Sequence, residues 1–188
     1  MELAELNALI DRETADEIPP FGARSVAVAR ELGERATGLL LEKIRGGDDS
    51  AFLSLEGLRE SDPGAFDRLP ADCRAKVYAR ALGRNTFFNA WGMPSTGLTA
   101  TSRALIALGE AAVSVLTPLL SNRSEAPLEG SREATASNIY HNRICDYAWA
   151  LISEVRNLPY EYSQDPADRD RQMTSLEASL KRESGDRA

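Results

Sequence analysis

Few residues in this chain are able to do chemistry, and they are scattered. His141 is the single histidine. An imidazole serves as base or metal ligand only with partners at matching spacing, and no second histidine, cysteine pair or carboxylate set supplies them. No glycine-rich phosphate loop, CxxC pair, HExxH or GxSxG motif occurs. Arg143 and Asp146 stand three apart, the spacing of a local ion pair on one helix face. Asp165, Asp168 and Asp170 make an acidic cluster on paper, but they alternate with Arg169 and Arg171, the pattern of a charged helix surface. Cys73 and Cys145 are too few for a disulfide framework and both fall on helical patterns, so buried free thiols are expected, a single bridge being the alternative. No catalytic residue, metal or cofactor is expected.

Binding is the chemistry that remains. Residues 85–97, NTFFNAWGMPSTG, have no clear period and bring Phe87, Phe88 and Trp91 beside Asn85 and Asn89. Such a stretch either plugs a junction between helices or lines a contact surface, where Trp and Tyr concentrate binding energy. With the start of the long helix over 138–158, this yields seven candidate binding residues: Asn89, Trp91, Tyr140, His141, Arg143, Asp146 and Tyr147.

The elements that must hold them all read as helical. Val26, Ala29, Leu32, Ala36, Leu39, Leu40 and Ile44 recur every three or four residues and predict one long helix over 23–45, ended by Gly46 and Gly47. Before it, Leu3, Leu6, Leu9 and Ile10 predict a short helix that Pro19 and Pro20 follow. After it, Phe52, Leu55 and Leu58 mark another. Asp62-Pro63 predicts a capped helix start, and Pro70 opens a helix to about Arg84. Ala112, Val113, Leu116, Leu119 and Leu120 form a stripe that pairs with the helix before Gly109, predicting two antiparallel helices; Pro118 should bend the second. Asn138–Leu158 predicts one long helix, apolar on two faces and therefore between neighbours. Asp165-Pro166 repeats the cap signature before a last helix with a narrow stripe of Met173, Leu176 and Leu180. No strand is expected.

The stretch ALIALGEAAVSVLTPLLSN, followed by NRICDYAWALI, resembles HEAT-type helical repeats as they occur in bacterial proteins of unassigned role. The resemblance covers residues 98–158, and residues 122–137, with Pro127 and Gly130, make a longer link than such repeats use. It implies an α-solenoid, a fold used mostly to present a binding surface. The expected architecture is therefore all-α: a HEAT-like α-solenoid or helical bundle of about seven to nine helices. It would be one domain, with N-terminal helices over 1–84, the aromatic junction over 85–97, the HEAT-like unit over 98–158 and a C-terminal helix over 159–184.

Composition narrows the function classes. The 188 residues include 43% apolar, enough for a packed core. The net charge of −7 is spread along the chain: residues 1–97 carry 16 acids and 12 bases, residues 98–188 carry 13 and 10. Without a concentrated basic face, a helical-repeat nucleic-acid binder is disfavoured. No apolar run is long enough to span a membrane. The start MELAELNALIDRE lacks a basic leader region, so a cytoplasmic location is expected for the chain as given, and an exported one if a leader was removed before Met1. The leading expectation is a non-enzymatic module, an adaptor or an inhibitor or immunity-type protein, that binds a protein or peptide, a basic one by charge. The alternative is an enzyme or enzyme-maturation factor with a pocket near Trp91, Tyr140, His141 and Arg143.

Overall fold

The structure is a computed structural model that describes residues 2–15, 22–84, 87, 90–95, 97–126, 128, 135 and 138–185. It is all-α: the described residues hold ten α-helices, and the only sheet among them is one two-residue hairpin. The chain divides into two compact units, Met1–Phe87 and Phe88–Ala188.

In the first unit, α1 (Leu3–Ala15), α2 (Arg24–Leu32), α3 (Thr37–Gly46), α5 (Pro63–Arg68) and α6 (Ala71–Gly83) pack around α4 (Ala51–Ser61). Every side chain from Ala51 to Leu58 is buried, so α4 is enclosed by neighbours rather than set on a surface. Gly57 lets α2 approach: a Cβ there would stand 3.1 Å from that of Ala29. The single helix expected over 23–45 is two. Gly33, at φ 58°, closes α2 by donating to the Ala29 and Arg30 carbonyls, and a 3₁₀ turn over Gly33–Ala36 leads into α3.

Two helix starts in this unit are fixed by carboxylates. Asp62 accepts from the Ala65 N–H at 2.8 Å with Pro63 in the first turn, as its sequence predicts. Glu13 of α1 is buried and accepts the Arg24 and Ser25 N–H groups at 2.8 and 2.9 Å. It thereby places a negative charge on the otherwise orphaned donors at the start of α2.

The second unit opens with the antiparallel hairpin β1 (Gly92–Met93) and β2 (Gly97–Leu98), where the sequence predicts no strand. It continues with α7 (Ala100–Ile106), α8 (Glu110–Leu116), α9 (Ile144–Val155) and α10 (Pro166–Gly185). Across 107–109 the chain bends by 105°, so α7 and α8 cross rather than fold back antiparallel. Thr117–Ser121 is 3₁₀, which puts Pro118 at its start and lets the chain avoid a proline inside an α-helix. The long helix expected over 138–158 begins only at Ile144, because His141 turns to φ 46° and Asn142 leaves the helical path. From Ile144 to Ser153 α9 is buried all round, as its two apolar faces require, against α7, α8 and the 3₁₀ turn.

Candidate functional site

The site grows from the N-terminus of α9. Asp146 is fully buried one turn inside it. Its Oδ2 accepts from the Arg143 N–H at 2.9 Å and from Arg143 Nε at 3.1 Å, while its Oδ1 accepts from Arg143 Nη2 at 2.9 Å. The pair predicted from its spacing is thus present, and it also caps the helix. The same Arg143 reaches Asp170 of α10 through Nη1 and Nη2, at 3.3 and 3.0 Å. Burial disfavours the Arg143 cation, but hydrogen bonds to Asp146 and Asp170 outweigh it and raise its pKa.

Arg169 completes the network, and it corrects the expectation that 165–171 is charged helix surface: the residue is wholly buried. Its Nη1 donates to the Ser163 and Gln164 carbonyls at 2.7 and 3.2 Å, and its Nη2 to the Tyr140 and His141 carbonyls at 2.8 and 3.2 Å. Nη2 also meets Asp146 Oδ2 at 3.2 Å, and Nε lies 3.1 Å from Oδ1. The sequence does carry a signal for this. Arg169 precedes Met173, Leu176 and Leu180 by 4, 7 and 11 residues, so it continues the apolar stripe of α10, and all four are buried.

Around this network stands a group of aromatic rings. Trp149, buried on α9, meets Tyr162 at 5.9 Å between centroids, nearly parallel, and Tyr160 edge-on at 5.3 Å. Tyr140 leans on Tyr162 at 5.7 Å, and the Arg169 guanidinium lies 5.1 Å from the Tyr162 ring centre. Tyr162 donates to Asn142 Oδ1 at 2.6 Å, and burial followed by the Asp146 charge pushes its phenol pKa up. Tyr160 donates to Glu154 at 3.2 Å; burial and then the Glu154 charge push it up to about 12. Tyr140, Tyr160 and Tyr162 are half-buried, and Ile139, next to Tyr140 in the chain, is half exposed.

Of the seven sequence candidates, Tyr140, Arg143 and Asp146 are joined through Arg169. His141 contributes its carbonyl to that arginine and leaves its side chain exposed. Tyr147 and Trp91 are buried, Trp91 with its carbonyl accepting from the Ser102 hydroxyl at 2.6 Å. Asn89 lies outside the described residues, as does Phe88. Arg169 and Asp170, which the sequence pattern assigns to a charged helix surface, and Tyr160, Tyr162 and Asn142 are not among the seven; the tyrosines follow Pro159 in a segment with no period to place them.

Chemically, the charges of the cluster are committed, while the buried Asn142 Nδ2 has no hydrogen-bond partner among the described residues. The arginines are spent on carboxylates and carbonyls, and the described residues include no group of three histidines, cysteines or acids able to hold a metal ion. Cys145 is free and buried, its thiol pushed up to about 11 by burial and then by Asp146, which keeps it protonated and unreactive near neutrality. What the network does is fix two loops, 140–143 and 160–164, and so hold the tyrosine rings in place. No family model, curated protein or solved structure matches the chain. Among the described residues, no single helix is long and apolar enough to cross a membrane.

Proposed function

We propose that this chain is a non-enzymatic helical interaction module, and that the tyrosine surface over 139–162 receives a basic segment of a partner protein. The observation that carries the reading is the partial exposure of Tyr140, Tyr160 and Tyr162, whose rings are packed against Trp149, Arg169 and one another. Aromatic side chains with few rotamers to lose are the residues most enriched at protein-binding hot spots. Rings already fixed before the partner arrives lower the ordering cost of binding. Glu154 touches Tyr160, and Glu161 and Asp165 flank the rings along the chain, so lysine or arginine side chains find both a π-face and a carboxylate. The resemblance of 98–158 to HEAT-type repeats fits such a role, as does an inhibitor that masks a basic enzyme.

The test replaces Tyr160 with a photo-crosslinking phenylalanine analogue and maps the covalent product from a lysate. The expected product joins this site to a Lys/Arg-rich segment of one protein, disappears at high salt, and is absent when the analogue replaces Ser175, an exposed position of α10. A product on an acidic or apolar segment, or equal capture from both positions, defeats the reading.

A further inference from the structure

The first unit contains a half-open cavity of about 200 Å³ that the sequence does not announce. Its floor is apolar: Ile44 from α3, Phe52 from α4, and Val77 and Ala81 from α6, with Phe87 at one side. Phe87 stacks on Phe52 with ring centroids 5.0 Å apart and planes 12° from parallel. It does so at φ 63°, a backbone conformation that bulky side chains rarely adopt, and strain of this kind collects at ligand sites.

The mouth is charged, and its charges do not cancel. Arg80 and Arg84 both pair with Asp49, and Arg80 also donates to the Gly47 carbonyl. Asp48 is held by Ser50, its Oδ1 accepting from the backbone N–H at 2.9 Å and from the hydroxyl at 2.5 Å, and these bonds lower its pKa. Lys76 is exposed at the rim and pairs with no carboxylate among the described residues. The site thus offers an apolar floor and one uncommitted cation above it. An apolar cavity of about 150 Å³ already accommodates benzene, so this one suits a single ring with a short tether.

We propose that the cavity binds a small amphipathic carboxylate, an aryl or short-acyl acid, with its apolar part resting against the stacked Phe52–Phe87 pair and Ala81 and its carboxylate on Lys76. This ligand site owes nothing to the tyrosine surface over 139–162, and either can fail without the other.

Cys73 lines the cavity and is half-buried, whereas Cys145 has no exposed surface, so alkylation of the intact chain by iodoacetamide reports on Cys73. Phenylacetate is the probe. At saturation it should slow Cys73 modification severalfold, read by mass spectrometry. Phenylacetamide, of the same shape without the charge, should need about three- to tenfold more for half protection, and Lys76→Gln should raise the phenylacetate requirement by the same factor. Ala81→Leu fills the floor and should abolish protection; if that variant does not fold, Lys76→Glu on the exposed rim takes its place and should weaken protection beyond Lys76→Gln. Equal protection by the acid and the amide, or none by either, overturns the proposal.

Discussion

Arg169 donates to four backbone carbonyls and to one carboxylate, all within the second unit. A buried charge pair adds little by existing, since desolvation offsets its attraction, but removing one partner strands the other. Arg169→Met should therefore lower unfolding free energy by about 3–5 kcal/mol in urea denaturation, because Asp146 keeps only Arg143 and the weak Cys145 thiol, and the four carbonyls lose their donor. Arg169→Lys should recover little of it: an ammonium cannot span acceptors arranged for a planar fork. A loss below about 1 kcal/mol would contradict the anchoring role given to this residue. Tyr160 offers a second check at this scale. Its folded pKa is raised to about 12, so the neutral phenol favours the folded state; that contribution is whole below pH 10 and disappears as pH rises through about 12. Ultraviolet titration of the folded chain should show several late tyrosines, Tyr78, Tyr147 and Tyr162 being raised as well, with a step near that pH that Glu154→Gln moves downward.

At the scale of elements, the sharpest constraints sit where the chain turns. Gly92 has φ 75°, and a Cβ there would come 2.4 Å from the Gly97 carbonyl oxygen across the hairpin. Gly92→Ala should cost at least about 1–3 kcal/mol in a chemical melt, whereas Gly97→Ala, with open space around it, should stay within about 0.5 kcal/mol. Glu13→Gln should lose about 1–2 kcal/mol by weakening the carboxylate that holds the first turn of α2, with no change in helix content at the melt's native baseline. These turns also explain what sequence could and could not disclose. The all-α class was legible because apolar residues recur at helical spacing almost everywhere, and the starts at Asp62-Pro63 and Asp165-Pro166 announce themselves by residue type. Where helices stop was less legible: Gly33 interrupts a stripe whose period runs on through it, and His141 takes a left-handed turn that no local residue type demands. At the site, the Arg143–Asp146 pair follows from spacing three apart, but its partners Arg169 and Asp170 are more than twenty residues away, and only the stripe from Arg169 to Leu180 hints that one arginine points inward. The cavity over Phe52 was invisible because it depends on three helices and on Phe87 at positive φ.

For the whole molecule, the relevant quantity is charge. Acids exceed bases in both halves of the chain, 16 to 12 and 13 to 10, for a net −7, and such a charge acts on a charged partner through its sum at distance and through individual carboxylates at contact. At physiological ionic strength the first effect is screened beyond about 8 Å. A basic partner on the tyrosine surface should then show two separable responses. Raising salt should slow association steeply while leaving dissociation nearly constant, because steering is lost before contact is made. Truncating Tyr162 to alanine should do the reverse: it removes a ring packed on Trp149 and Arg169 without altering net charge, so dissociation should quicken by about tenfold or more while association holds, the pattern of a lost hot spot. Stopped-flow or surface-based kinetics on the wild type and this variant distinguish the two. Salt-independent association would remove the electrostatic half of the reading, and an unchanged dissociation rate in Tyr162→Ala would remove the tyrosines from the contact altogether.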